Sequence, residues 1–145
     1  MNEKEIDFIL SKIAGYFIGK KKKPVIIFHA SEPLLVKDIL FKAITRFKKH
    51  FYFGIQTNGL LLEEKDISFI KNNKIGMGIS LDAPSAAINN RLRFSATHGG
   101  NFDKVIRALE LFNGYEGLNV ITTITKVNVR SLPSMVKLLH KKKFH

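Results

Sequence analysis

The chain has 145 residues, of which 45% are hydrophobic, and it carries a formal net charge of +12. This length and composition predict one globular domain, residues 1–145, with a buried core. The sequence contains no cysteine, which excludes disulfides, thiolate-bound zinc and an iron–sulfur cluster held in the usual way by these residues.

A membrane-spanning class is not expected from the hydropathy pattern. No apolar run reaches the ~18 residues that a spanning helix needs, because Lys12, Gly15 and the four lysines at 20–23 interrupt the first apolar segment. The polar, acidic start at 1–5 does not resemble a secretory signal. We therefore expect a cytoplasmic protein without a membrane partner.

The positive charge is densest in two lysine runs, at 20–23 and 141–143. Such a balance favours acidic or phosphate-bearing partners, and nucleic acid is one candidate. Lysine runs without interleaved aromatic residues, however, more often form a solvated face than a nucleic-acid groove. The charge alone therefore leaves both interpretations open.

Apolar periodicity predicts helices and strands in alternation. The chain opens with a helix over 2–18 that ends at Gly19, and short apolar runs then predict four strands, the first of which has the pattern of a strand covered on both faces. The predicted strands are 24–28, 51–55, 75–81 and 118–124. The helices between them are 35–49, 63–71 and 101–112, with Asn101 as the N-cap of the last of these, and a final helix has Ser131 as its N-cap and Pro133 in its first turn.

This order predicts an α/β fold, a parallel sheet of about four strands joined by right-handed helical crossovers. One long connection, 82–100, has no predicted element, and it contains Asn89, Asn90, Arg91, Arg93 and His98. Long structureless connections in compact domains are usually functional or disordered.

Polar clusters follow each predicted strand, at 29–33, 56–59, 80–82 and 125–128. The carboxyl ends of parallel strands meet at one edge of the sheet, where ligands usually bind. We call the residues directly after the four strands the binding rim, and we expect the functional site there.

Glu32 follows the first strand, and Pro33 restricts it to extended backbone geometry. A carboxylate in this position can accept hydrogen bonds from an ammonium group of a ligand. The alternative is that Ser31 and Glu32 only form the turn into the next helix. Thr57 and Asn58, taken singly, are explained by the Asn-Gly turn that they begin.

Ser80 and Asp82 lie on one face of an extended strand and suit the paired hydroxyls of a ribose, although Asp82 can equally cap a neighbouring turn. Arg91 and Arg93 suit a carboxylate or phosphate, or are solvated, and Phe94 beside them favours burial. Glycines 99 and 100 precede a helix and offer weak support for an anion site. No nucleophile–base pair and no metal-binding histidine spacing appears, so no catalytic residue and no metal ligand is predicted.

Six short motifs occur in order along the chain: His-Ala-Ser-Glu-Pro-Leu-Leu, Thr-Asn-Gly-Leu-Leu-Leu, Gly-Ile-Ser-Leu-Asp-Ala, Arg-Leu-Arg, Gly-Gly-Asn-Phe-Asp-Lys-Val and Thr-Lys-Val-Asn. Together, over about 25–128, they resemble the radical S-adenosylmethionine superfamily, and within it the peptide- and sulfatase-maturing (SPASM-like) branch. The resemblance implies part of a (β/α)6 TIM-like barrel that binds S-adenosylmethionine.

The resemblance also assigns site residues. The segment 30–33, Ala-Ser-Glu-Pro, matches the family's Gly-Gly-Glu-Pro, so Ser31 and Glu32 face the methionine ammonium group, with both glycines replaced. Ser80 and Asp82 are assigned to the ribose and Arg93 to the methionine carboxylate. Thr57, Asn58 and Asn128 are assigned to the wall of the cosubstrate site.

The family's Cys-x-x-x-Cys-x-x-Cys loop, which holds a four-iron four-sulfur cluster, has no counterpart here. The chain resembles about four of the six barrel units, the middle of an enzyme. With a cluster-bearing segment outside this chain, the resemblance implies a deoxyadenosyl radical that modifies a peptide or protein, whereas the chain alone is expected to be inactive.

Two other functions stay open, a catalytically inactive truncated remnant and a basic nucleic-acid-binding module. The first and last strands of a parallel sheet present unpaired backbone groups. We therefore expect a partner chain or self-association to cover these open edges.

Overall fold

The computed structural model describes residues 2–29, 31–93, 100–142 and 144. The sequence-based expectations for residue 30 of the Ala-Ser-Glu-Pro segment and for Phe94, His98 and Gly99 therefore lie outside the described residues. Lys143, the last of the second lysine run, lies outside them as well.

A four-stranded parallel sheet with strand order β1-β2-β3-β4 forms the centre of the fold. The strands are β1 (Val25–Phe28), β2 (Tyr52–Thr57), β3 (Gly76–Ser80) and β4 (Leu118–Ile121). Every pair of neighbouring strands is also consecutive in the chain, as the alternating pattern predicts. The predicted α/β class and parallel pairing are confirmed.

Within the described residues, six α-helices connect or flank these strands. They are α1 (Glu3–Phe17), α2 (Lys37–Phe47), α3 (Glu64–Asn72), α4 (Ala86–Leu92), α5 (Phe102–Leu111) and α6 (Leu132–Lys141), and two 3-10 helices cover Pro33–Val36 and Val129–Ser131. The helix α1 ends as predicted, because Gly19 adopts a φ of 78° that stops the helix. Pro133 lies in the first turn of α6, also as predicted.

The core lies between the helices and one face of the sheet. Ile55 of β2 and Ile79 of β3 belong to the same buried cluster as Ile44, Ile70 and Leu109 from the helices. Strand side chains alternate between faces, so the other residues of these strands point away from the helices. On that opposite face lie three largely exposed side chains, Val25 at 59%, Ile27 at 51% and Tyr52 at 59%. The expectation that the first strand is covered on both faces is therefore wrong.

Glycine leaves room for a neighbouring side chain at one point on this open face. A Cβ built on Gly78 would lie 2.5 Å from the Cδ1 atom of Ile121 on the neighbouring strand. The register partner of Ile121 is Ser80, which lies two positions after Gly78 on the same face of β3. The absence of a side chain at Gly78 therefore lets Ile121 lie flat across β3.

A partly buried ion pair joins the starts of α2 and α3. The Nζ atom of Lys37 lies 2.9 Å from Oδ2 of Asp66, whose side chain is only 3% exposed, and 3.2 Å from Oε2 of Glu63. The hydrogen bond to Asp66 is the main cause that raises the pKa of Lys37 above 10.5. The pKa of Glu63 is lowered, chiefly by its hydrogen bonds to Lys65 and Lys37.

Three further sequence-based expectations are wrong. The connection 82–100 contains a helix, α4, where none was predicted. Asn101 makes no side-chain cap of α5; instead Oδ1 of Asn90 accepts hydrogen bonds from the backbone N–H groups of Asn101 and Phe102, both at 3.0 Å. Ser131 does not cap α6 either, because its hydroxyl donates to the carbonyl oxygen of Asn128 at 2.8 Å.

In the described ranges, none of the helices has the length and apolar character that crossing a bilayer requires.

Candidate functional site

The carboxyl ends of the four strands bring the predicted rim residues to one edge of the sheet. Glu32 follows β1, Thr57 ends β2, Ser80 ends β3, and Thr123 and Asn128 follow β4. Since neighbouring strands run parallel and in register, these positions lie side by side. The predicted common edge is therefore confirmed, and two hydrogen-bonded clusters lie along it.

The first cluster is centred on the carboxylate of Glu32. Its Oε1 atom accepts hydrogen bonds from the Thr57 hydroxyl at 2.7 Å and from the backbone N–H of Leu34 at 3.0 Å. Its Oε2 atom accepts one from the backbone N–H of Asn58 at 2.8 Å. All three donors are neutral, so they orient the carboxylate without cancelling its charge.

The backbone before this cluster is partly strained. Glu32 has φ −145° and ψ 103°, the extended geometry that Pro33 was predicted to impose. Ser31 has a φ of 36°, in the left-handed region that non-glycine residues rarely adopt. The second glycine of the Gly-Gly-Glu-Pro pattern is therefore replaced at a position whose conformation still suits glycine.

The turn after β2 is built from side-chain hydrogen bonds. The Thr57 hydroxyl accepts from the N–H of Gly59 at 3.0 Å, and Oδ1 of Asn58 accepts from the N–H of Leu60 at 2.9 Å. Gly59 has a φ of 78°. The segment is therefore the Asn-Gly turn that the sequence predicts, and it also holds the carboxylate of Glu32.

The second cluster is centred on Asp82, whose side chain is only 6% exposed. Its carboxylate accepts from the guanidinium of Arg93 at 2.6 Å on Oδ2 and 3.2 Å on Oδ1, and from the backbone N–H of Thr123 at 2.8 Å. This two-point ion pair places Arg93 against Asp82 rather than in solvent. Ser80, on the open face of the sheet, is half-buried beside it.

Asn128 lies behind the rim. It is fully buried, and its Nδ2 atom donates to the carbonyl oxygens of Asp82 and Thr123, both at 2.8 Å. Its Oδ1 atom accepts from the backbone N–H of Thr125 at 2.7 Å and from the Thr125 hydroxyl at 3.2 Å. Its four hydrogen-bonding positions are occupied by protein groups, so Asn128 supports the segments after β3 and β4 from within.

The sequence reasoning missed the support given by Asn89. Its side chain is fully buried, its Oδ1 atom accepts from the backbone N–H of Asp82 at 2.9 Å, and its Nδ2 atom donates to Oδ1 of Asn101 at 2.9 Å. It therefore ties β3, α4 and α5 together. The Asn-Asn pair in a segment assigned to a loop was the available signal.

The described part of the chain contains no group of three or more histidine, cysteine, aspartate or glutamate side chains that could hold a metal ion. The whole sequence contains no cysteine. These residues therefore do not fit the ligand set of a four-iron four-sulfur cluster.

Comparisons with known proteins agree with this architecture. The model of the radical SAM superfamily matches residues 2–139. An uncharacterized protein of Archaeoglobus fulgidus is 45% identical over 96% of this chain and 31% of its own length. A cysteine-type anaerobic sulfatase-maturating enzyme of Clostridium novyi is 29% identical over 81% of this chain and 33% of its own length.

Solved structures give the same result. The structure of native anSMEcpe with bound AdoMet (S-adenosylmethionine) has a TM-score of 0.80 and 27% identity, covering 95% of this chain and 40% of that one. A second structure of that protein, with bound AdoMet and Kp18Cys peptide, has a TM-score of 0.81. The chain spans about a third of the length of the curated relatives it matches.

The order of strands, the position of the rim residues and the family match over 2–139 lead to one conclusion: the chain belongs to the radical SAM superfamily, with anaerobic sulfatase-maturating enzymes among its relatives.

Proposed function

We propose that this chain forms the part of a radical S-adenosylmethionine enzyme core that binds S-adenosylmethionine at the binding rim. The observation that carries the proposal is the Glu32 carboxylate, held by three neutral donors from Leu34, Thr57 and Asn58. The similarity to solved structures with bound AdoMet supports it. Peptide or protein modification is the proposed use of the bound cosubstrate.

The chemistry of the Glu32 cluster fits the ammonium group of the cosubstrate. A carboxylate has about four acceptor positions, and described residues fill three of them. Because a cationic donor strengthens a hydrogen bond to a carboxylate roughly twofold over a neutral one, the remaining position favours an ammonium group. Glu32 is the residue to which we assign that contact.

The Asp82 cluster receives the rest of the cosubstrate in this proposal. Arg93 is assigned to the methionine carboxylate, and Ser80 and Asp82 to the ribose hydroxyls. Since Arg93 already contacts both oxygens of Asp82, the incoming carboxylate shares the guanidinium with Asp82. Asn128 acts as a positioning residue, because it holds the carbonyl oxygens of Asp82 and Thr123.

Bound S-adenosylmethionine supplies a deoxyadenosyl radical after one-electron reduction in the proposed family chemistry. The sequence has no cysteine to ligate the cluster, so no electron-transfer step is assigned to these residues. Their proposed contribution is to bind and orient the cosubstrate.

Calorimetric titration of the full chain tests this function. We expect saturable binding of S-adenosylmethionine, at least tenfold weaker binding in Glu32→Gln, and unchanged binding in Glu116→Gln, which removes another glutamate carboxylate from an exposed position. Methylthioadenosine lacks the amino-acid group, so its binding should not respond to Glu32→Gln. Equal affinity of the wild type and Glu32→Gln for S-adenosylmethionine would overturn the assignment.

We also propose that a partner chain or a second copy covers the open sheet edges and face in the working assembly. The edge strands are β1 and β4, and Val25, Ile27 and Tyr52 are exposed beside the first edge. Unpaired strand edges next to apolar side chains favour association. Sedimentation of the chain at micromolar concentration should show self-association, or association with added partner, and a stable monomer in both cases contradicts this.

A further inference from the structure

Seven lysines gather at the edge of the sheet opposite the binding rim. The four lysines at 20–23 precede β1, Lys48 and Lys49 precede β2, and Lys74 precedes β3. Since the strands are parallel neighbours, their starts lie along one edge. We call these seven lysines the lysine face.

Direct contacts join the three segments of the lysine face. The Nζ atom of Lys23 donates to the carbonyl oxygen of Lys48 at 2.7 Å. The Nζ atom of Lys48 donates to Oδ1 of Asn73, the residue before Lys74, at 3.3 Å. The positive charges therefore form one continuous surface rather than separate runs along the chain.

The charge of the lysine face is not neutralised within the described ranges. The ion pairs there involve Lys37, Lys42, Arg46, Lys65, Arg93 and Lys142, and no member of the lysine face. Clustered like charges repel one another and create a positive potential that attracts anions. An anionic partner would relieve this repulsion.

A small cavity lies within the lysine face. Its volume is about 220 Å³, and its lining includes the four lysines at 20–23, Lys49 and His50. Pockets for drug-sized ligands usually measure about 300–1,000 Å³. This smaller, cationic cavity is suited to one or two phosphate groups.

Two aromatic rings lie among these lysines, although the sequence places none within the runs. The Nζ atom of Lys20 lies 3.2 Å from the ring centroid of Tyr16, and that of Lys23 lies 4.4 Å from the ring centroid of Tyr52. Both rings are largely exposed, Tyr16 at 69% and Tyr52 at 59%. Cationic grooves with exposed aromatic side chains are typical of single-stranded nucleic-acid binding, where bases stack on the rings.

We propose that the lysine face binds the phosphate backbone of a single-stranded nucleic acid, with Tyr16 available for base stacking. Tyr52 lies on the open sheet face that a partner chain or second copy is proposed to cover, so it is not assigned this role. Lysine ammonium groups act as point charges and bind phosphates from many directions, whereas the planar guanidinium group of arginine is favoured for binding carboxylates. The cations of the lysine face lie on three segments, so they can contact successive phosphates of a polymer. Such contacts carry no preference for nucleotide sequence.

Fluorescence anisotropy with a labelled 20-nucleotide oligo(dT) or oligo(U) tests the proposal. The logarithm of the association constant should fall linearly with the logarithm of salt concentration, by about 0.7 per phosphate contact. The variant Lys21→Gln/Lys22→Gln/Lys49→Gln should bind at least tenfold more weakly. The matched control Lys4→Gln/Lys104→Gln/Lys137→Gln removes the same charge from exposed positions on α1, α5 and α6 and should bind within about twofold of wild type.

A second variant tests the aromatic contribution. Tyr16→Leu should weaken oligonucleotide binding severalfold with little change in the salt slope, because stacking is not an ionic contact. An equal loss in both lysine variants would overturn the proposal, as would tighter binding to duplex DNA or displacement of the oligonucleotide by polyglutamate of matched charge. Binding of S-adenosylmethionine by the lysine variant should be unchanged, so this test is independent of the rim.

Discussion

The hydroxyl of Thr57 donates a 2.7 Å hydrogen bond to the carboxylate of Glu32, 25 positions earlier in the chain. This bond joins the segment after β1 to the end of β2. The same hydroxyl accepts from the N–H of Gly59, so one buried side chain fixes both the carboxylate and the turn beside it.

Replacing Thr57 should show how much the hydrogen bonds of its hydroxyl contribute apart from the packing of its side chain. Thr57→Val keeps the shape but removes the hydroxyl, and it should lower the free energy of unfolding by about 1–2 kcal/mol because the N–H of Gly59 is left without its acceptor. S-adenosylmethionine should bind about tenfold more weakly, since Glu32 loses an orienting donor. Calorimetry and urea unfolding measure both effects. Thr57→Ser retains the hydroxyl and serves as the control, and a loss as large as that of Thr57→Val would contradict the explanation.

Ser31 should tolerate glycine better than other exposed serines. Its φ of 36° costs an L-residue about 1–2 kcal/mol, and glycine avoids this cost. Because glycine has more freedom in the unfolded chain, about 0.4–1 kcal/mol of the stability gained in this way is lost again. Ser31→Gly should therefore stabilise the protein by about 0.5 kcal/mol in thermal unfolding. Ser68→Gly, at an exposed position of α3, should destabilise it by about 0.5 kcal/mol. Destabilisation by both substitutions would show that Ser31 is not strained.

Asn89 should be critical for the Asp82 cluster. Asn89→Ala leaves the buried backbone N–H of Asp82 and the Oδ1 atom of Asn101 without their partners, which should cost about 2–3 kcal/mol of unfolding free energy. Asn72→Ala, at the exposed end of α3, should change it by less than about 0.5 kcal/mol. Urea unfolding of both variants measures the difference. Similar values for the two would remove Asn89 from its supporting role.

The stabilising effect of Lys37 should depend on pH. Its folded-state pKa is raised, chiefly by the hydrogen bond to Asp66, so the stabilisation is fully present below pH 10.5 and is lost as the pH rises through the folded-state pKa. Lys37→Met leaves the buried carboxylate of Asp66 without its cation and should cost about 2 kcal/mol at neutral pH, less than a fully buried pair because water reaches Lys37.

Urea unfolding across the pH range checks this prediction. The difference between wild type and Lys37→Met should be constant from about pH 7 to pH 9 and should shrink above pH 10.5. Lys65→Met is the control, because Lys65 contacts Glu63 from a largely exposed position and should have no measurable effect. A difference that grows above pH 10.5 would contradict the assigned direction of the pKa change.

The strands were predictable because their apolar runs are short and bounded by turn residues. The helix α4 was not, since residues 86–92 have no apolar stripe and the helix is held by side-chain hydrogen bonds from Asn89 and Asn90 to residues distant in sequence. The existence of the rim followed from the order of elements alone.

The pairing of side chains within the rim could not be predicted from the sequence. The ion pair between Asp82 and Arg93 depends on α4, which the periodicity did not indicate. Tyr52 lies beside Lys23 through the register between β1 and β2, so the aromatic residues of the lysine face become visible only after the strands are paired. Local patterns identify elements, whereas these contacts depend on tertiary structure.

The most direct test of the account is a two-dimensional ¹H–¹⁵N NMR titration of the full chain with S-adenosylmethionine. The amide signals of Leu34 and Asn58, whose N–H groups donate to Glu32, and of Thr123, whose N–H donates to Asp82, should shift together, while those of Lys49 and Lys74 should not. Shifts confined to the opposite edge of the sheet, or none at millimolar ligand, would contradict the proposed site.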